Sequence, residues 1–110
     1  MDHLLSLFKA LSDETRLRLI VLLAKQDYCV CEITEILNLS QPKVSKHLSK
    51  LKDLGFVKAR RDAQYIYYQL SVDDQALKNI LTSILANINN YPVLAEDLKR
   101  ISQCTIINQR

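Results

Sequence analysis

The hydrophobic period of this chain changes at its only glycine. Before Gly55, Val44, Leu48, Leu51 and Leu54 recur at helical spacing. After it, Phe56-Val57-Lys58-Ala59-Arg60 alternates, and so does the run from Tyr65 to Leu70. A 3.6-residue period suits a helix and a two-residue period suits a strand, so a helix must give way here to a hairpin. Gly55 can take the left-handed conformation that ends a helix without steric cost. Asp62-Ala63-Gln64 is then the hairpin tip. Ile66, Tyr68 and Leu70 share one face of the second strand, and Tyr65 and Tyr67 the other.

Around this junction the remaining periods are helical. Leu4, Leu7, Phe8 and Leu11 make an amphipathic stripe. Ser12-Asp13 can cap a second helix carrying Leu17, Leu19, Ile20, Leu22 and Leu23, which is apolar over most of its surface and so expected at the centre. Gln26-Asp27-Tyr28 breaks it. A short helix with Ile33, Ile36 and Leu37 follows, then a turn at Asn38-Leu39-Ser40. Ser40 caps the next helix, and Pro42 fits its first turn because the N–H it lacks would be unpaired there. Asp73 is expected to open a long helix with Leu77, Ile80, Leu81, Ile84, Leu85 and Ile88 in one stripe. Asn89-Asn90-Tyr91-Pro92 interrupts it before a last helix with Leu94, Leu98 and Ile101, and the tail through Arg110 is expected to fray.

At 110 residues the chain is sized for one domain, and one glycine with two prolines argues against an all-β fold. It lacks an apolar run of membrane-spanning length, and Met1-Asp2-His3 does not begin as a signal peptide does, so a cytoplasmic protein is expected. Three cysteines, an odd number, are expected as thiols rather than as a disulfide framework. Charge is concentrated. Residues 41 to 61 hold seven basic side chains (Lys43, Lys46, Lys50, Lys52, Lys58, Arg60, Arg61) against one acid, Asp53, in a chain whose net charge is only +3.

Two short helices joined by a tight turn, followed by a basic hairpin, are the parts of a winged helix-turn-helix: mainly α, with a two-stranded β-hairpin wing. In that arrangement the second helix, about 41–54, enters the major groove. Its face away from Val44, Leu48 and Leu51 offers Gln41, Lys43, Ser45, Lys46, Ser49 and Lys50, which can meet base edges or phosphates. His47, at the edge of the apolar stripe, either joins them or packs. Arg60, Arg61 and Tyr65, on a wing of about 56–70, are candidates for flanking DNA. A charge run is more often a solvated face, but a capped helix, a glycine stop and a basic hairpin in that order form a specific set.

As a set, these segments resemble the ArsR/SmtB family of winged-helix repressors. The resemblance rests on residues 7–19 (Leu7-Phe8-Lys9-Ala10-Leu11-Ser12-Asp13-Glu14-Thr15-Arg16-Leu17-Arg18-Leu19), on Cys29-Val30-Cys31-Glu32-Ile33, on Leu39 through Leu48, and on Arg60-Arg61 with Tyr67-Tyr68. It covers roughly residues 4 to 88. It implies a homodimer built from helices at about 2–11 and 73–88, a palindromic operator in double-stranded DNA, and release when an inducer binds. The hairpin tip departs from the pattern, with Asp62-Ala63 where a glycine is frequent.

Cys29-Val30-Cys31-Glu32 resembles the family's arsenic-sensing motif, which implies arsenite or antimonite as inducer, with no cofactor required. Thiolates favour such soft, thiophilic centres. Residues i and i+2 point to nearly opposite sides of a helix. Either Cys29 therefore lies before the helix, or binding unwinds residues 29–33. The position where the family often keeps a third cysteine is Thr34, which leaves Cys104 as the remaining candidate ligand beside Cys29 and Cys31. Small apolar cysteines packed at a helix start are the structural alternative. A redox or persulfide sensor pairing Cys29 or Cys31 with Cys104, and a cadmium or lead sensor, are alternatives on the same fold. The only histidines are His3 and His47, so a zinc site on the long helix is not expected. No nucleotide-binding loop, acid–base cluster or Cys-x-x-Cys suggests an enzyme.

Overall fold

In a computed structural model, which describes residues 2–71 and 73–108, two helices meet at the Ser12-Asp13 corner: α1 (Asp2–Leu11) and α2 (Glu14–Leu23). Asp13 caps α2 by accepting the Arg16 N–H at 3.0 Å, and that bond holds its carboxyl below the usual range. Leu19 through Leu23 are buried in succession. The second half of α2 is thus covered on every side, and α1, α4 and α6 pack against the helix.

The break after α2 contains a strand that the sequence reading did not anticipate. β1 (Tyr28–Cys29) pairs antiparallel with β3 (Tyr65–Leu70), Tyr28 opposite Tyr68 and Cys29 opposite Tyr67. α3 (Val30–Leu37) starts directly from it and ends at Asn38, which sits in the left-handed region at φ 54°. Ser40 caps α4 (Gln41–Asp53), accepting the Lys43 N–H at 3.4 Å. Gly55 closes α4 at φ 85°. The Gly55 N–H donates to Lys52 O and the Phe56 N–H to Leu51 O, the two bonds of a Schellman stop.

β2 (Val57–Asp62) then pairs with β3, giving the sheet order β1-β3-β2. The first wing strand begins one residue later than Phe56 and runs two beyond Arg60, so the tip is only Ala63-Gln64. Ala63 takes φ 56°, a left-handed position held by a residue with a Cβ. α5 (Gln75–Ala86) is capped by Asp74 rather than opened by Asp73, because the Asp74 carboxylate accepts the N–H of Ala76 at 2.9 Å and of Leu77 at 3.4 Å. Ile88 falls outside α5, in a 3₁₀ turn. In the α5 stripe Leu77 and Leu81 are buried, while Ile80, Ile84 and Leu85 are half-buried.

The C-terminal segment departs from the expected fraying as far as it is described. α6 (Pro92–Arg100), a 3₁₀ turn and α7 (Thr105–Asn108) pack back on the body; residues 109 and 110 lie outside the description. The reason is a buried ion pair. Asp97, on α6, accepts two hydrogen bonds from Arg18 of α2 at 2.8 Å, and the same guanidinium donates to Leu37 O at the end of α3 at 2.8 Å. One side chain thus fastens three helices, and the pairing strengthens its hold on its proton. Among the described residues no helix is long and apolar enough to cross a membrane.

Candidate functional site

α4 presents the side chains that the sequence picks out for DNA, with His47 placed apart from the others. Gln41, Lys43, Lys46, Ser49 and Lys50 are exposed; Ser45 is half-buried and accepts a hydrogen bond from Gln41 at 3.1 Å. His47 is turned away from that face. Its ring is 13% exposed and its Nδ1 lies 3.8 Å from Asp13 Oδ2, tying α4 to the cap of α2. This approach to Asp13 is the packing arrangement open to a residue at the edge of the apolar stripe.

On the wing, cross-strand register separates the two arginines. Arg60 stands opposite Tyr67 and Arg61 opposite Ile66, so they lie on opposite faces of the hairpin. Arg60 covers the Tyr67 ring at 4.9 Å and lies 3.7 Å from Asp27 and 3.9 Å from Asp62. Arg61 and Tyr65 are exposed at the wing end.

Of the two geometries open to Cys29 and Cys31, the structure has the first. Cys29 is the N-cap of α3, extended at φ −81° and ψ 163°, while Cys31 is in the first turn. Freed from helical geometry, the Cys29 side chain reaches its neighbour, and the two Sγ atoms lie 2.8 Å apart. No unwinding of residues 29–33 is needed to bring them together. Burial, then the hydrogen bond with Cys31, pushes the Cys29 thiol up to about 12. Glu32, wholly buried, reaches back to accept the Cys29 N–H at 2.9 Å and fixes this corner. The sequence reading missed that role, although an acid three residues after an N-cap is its signature.

Cys104 does not join the pair. It is 1% exposed, and its thiol donates to Glu35 Oε2 at 3.1 Å, one helical turn beyond Cys31. Burial raises its pKa, and Glu35 adds to the effect. The Thr34 hydroxyl is spent on Cys31 O at 2.8 Å. Among the described residues no group of three or more His, Cys, Asp or Glu is arranged to hold a metal ion. The pair opens on a groove whose other walls are Val30 and Thr34 of α3, Gln41 of α4, and Gln64, Tyr65 and Ile66 at the wing tip.

Comparison with known proteins points to one family of regulators. Residues 13–59 match the model of the "Bacterial regulatory protein, arsR family". Over 102 residues the chain is 37% identical to the arsenic resistance transcriptional regulator ArsR1 of Pseudomonas putida, covering 87% of this chain and 75% of that one. It is 49% identical over 65 residues to ArsR2 of the same organism, covering 58% of this chain and 56% of that one. In three dimensions it is similar to a homodimeric winged helix-turn-helix DNA-binding domain from Mycobacterium bovis, with TM-score 0.67, 30% identity, and coverage of 78% of this chain and 80% of that one.

Proposed function

Because the chain belongs to the arsR family of bacterial regulatory proteins, DNA-binding transcription regulators rather than enzymes, we propose that it is a homodimeric repressor released from its operator when Cys29 and Cys31 bind trivalent arsenic or antimony. The observation that carries this reading is the pair of thiols 2.8 Å apart at the start of α3. Soft sulfur ligands select thiophilic centres, and two at this separation can close on one atom. Cys104 is not required as a ligand. For the dimer, Leu4, Leu5 and Phe8 of α1 lie 39%, 51% and 53% exposed. These and the half-buried Ile80, Ile84 and Leu85 of α5 are the apolar side chains that a second copy would cover. The homodimeric relative supports that assembly.

The thiol pair is coupled to both DNA-reading elements. Cys29 pairs through β1 with β3 of the wing, and Cys31 lies in the first turn of the helix that packs on α4. An atom seated between the two sulfurs must spread them from 2.8 Å, and that displacement bears on the wing strand and on the support of the recognition helix together. Gln41, Lys43, Ser45, Lys46, Ser49 and Lys50 meet the major groove, and Arg61 and Tyr65 the flanking backbone. Arg60 braces the wing through Tyr67 and Asp27, and His47 orients α4 from behind.

The test is a titration of the reduced protein on its own upstream DNA in a panel of arsenite, antimonite, cadmium, lead and a thiol oxidant. Release by arsenite and antimonite at stoichiometric concentration is the expected result. Release by the oxidant alone would replace the metalloid sensor with a redox sensor, and release only by the divalent ions would replace it with a cation sensor. Binding that does not weaken with salt would remove the DNA-binding face as assigned.

A further inference from the structure

Resting on the thiol-pair reading above, we infer that Arg18 and Glu35 are positioning residues for release. With the C-terminal segment they pin the far end of α3, so that opening of the thiol pair at the near end tilts this helix instead of sliding it.

α3 carries the thiol pair at one end and is fastened at the other. Arg18 Nη2 donates to Leu37 O at 2.8 Å, and Arg100 Nη1 reaches Ile36 O at 3.5 Å. A helix C-terminus leaves its last carbonyls unpaired and carries a partial negative charge, so two guanidinium groups suit it. One buried carboxylate gathers both of them. Asp97 is 2% exposed, takes two bonds of 2.8 Å from Arg18, and lies 3.9 Å from Arg100. Glu35 is a second fastening. Its carboxylate accepts the Thr105 N–H at 3.1 Å, the Thr105 hydroxyl at 2.8 Å and the Cys104 thiol at 3.1 Å, tying the last turn of α3 to the start of α7. Both α6 and α7 pack on α3, and α6 also packs on α2. The far end of α3 is therefore held against α2, the buried centre of the molecule. None of these groups belongs to the thiol pair or to the DNA-facing set.

The consequence is geometric. With the thiolate–zinc bond of about 2.3 Å as a scale and a tetrahedral angle, two sulfurs on one atom stand roughly 3.7 Å apart. The free pair, at 2.8 Å, must open by about 1 Å. α3 has eight residues and so is about 12 Å long. Carried by a helix pinned at its far end, that opening is a tilt of about 5°. With the far end free, α3 would take the turn at residues 38–40 and α4 along with it, and the helix-turn-helix would shift as one body with its internal angle unchanged. With the far end held, the same opening changes the angle between α3 and α4 and falls on the face where they pack. Packed interfaces change between discrete arrangements rather than deform smoothly, so the tilt reseats α4 against the wing and the DNA.

The experiment measures three quantities for each protein: arsenite affinity, affinity for the upstream DNA without arsenite, and the factor by which saturating arsenite lowers that DNA affinity. The variant is Arg18→Lys combined with Glu35→Ala. Lysine keeps a cation for Asp97 but lacks the fork that also reaches Leu37 O, and alanine removes the ties to residues 104 and 105. Both affinities should stay within about threefold of the parent, while the release factor falls at least about fivefold, the low end of a typical coupling between two sites. Glu35→Ala alone should fall between the two. An unchanged release factor in the double variant overturns the inference. DNA affinity that collapses before arsenite is added overturns it too, since the segment would then be a plain brace. Ile20→Val, a core trim on the helix that carries Arg18, should keep the parent's release factor; an equal drop there would reduce the effect to general loosening and sink the assignment. If arsenite fails to release the parent itself, the thiol-pair reading falls and takes this inference with it.

Discussion

The proton balance at the thiol pair distinguishes a metalloid from a divalent cation. Cys29 is pushed up to about 12 by burial and then by its hydrogen bond to Cys31. Its raised pKa keeps the thiol protonated throughout pH 6 to 8. Neutral As(OH)3 brings its own base: each hydroxide that leaves takes a thiol proton with it, and no net proton is released. A cation such as cadmium brings none, so binding must expel at least the Cys29 proton to solvent. Its affinity should rise at least about tenfold per pH unit, or about 100-fold between pH 6 and 8, which is about 2.7 kcal/mol at 1.36 kcal/mol per unit. Arsenite affinity should stay within about twofold over the same interval, the slope expected when no proton is exchanged. Titration calorimetry at three pH values, repeated in two buffers of different ionisation enthalpy, reads both the affinity and the protons released. An arsenite affinity that climbs tenfold per unit, with matching proton release, would refute the claim that Cys29 enters the reaction as a buried, protonated thiol.

Three further outcomes follow from the geometry. Asp97→Ala leaves the 14%-exposed Arg18 side chain without its carboxylate. It should cost about 3 kcal/mol in urea unfolding; a loss under about 1 kcal/mol would show that the guanidinium rehydrates and fastens nothing. Ala63→Gly relieves a left-handed alanine at φ 56° and should raise stability by roughly 0.5–1 kcal/mol, read as a higher melting temperature. A lower one would contradict the strain assigned to the tip. Lys43→Ala should lower the slope of log affinity against log salt by about one, and an unchanged slope would take Lys43 off the phosphate backbone.

What could be read from the sequence depended on whether a residue's neighbours along the chain decide its conformation. Ser40 and Gly55 bracket α4 because capping and left-handed stops are local chemistry, and both were readable from residue type. β1 was not. Two residues carry no period, and Tyr28 and Cys29 are extended because of partners some forty positions away on β3. That same distant pairing chose between the two geometries open to Cys29. Asp97 and Cys104 were hidden for a related reason. A tail of ordinary polarity is held in place by Arg18 and Glu35, and contacts between distant positions leave no local pattern. His47 lay at the margin of an apolar stripe, where the period places a side chain on either side; Asp13 of α2 is what it faces. Ala63 was unreadable in a different way, since alanine is a poor predictor of a left-handed turn.

The central claim is that Cys29 and Cys31 are the sensor and act without Cys104. The measurement that tests it most directly is an anaerobic arsenite titration of the protein bound to its upstream DNA, run side by side on the parent, Cys31→Ser and Cys104→Ser. The account predicts release of the parent and of Cys104→Ser at the same arsenite concentration, with Cys31→Ser remaining bound throughout. Release of Cys31→Ser alongside the parent, or retention of Cys104→Ser on DNA, would contradict it.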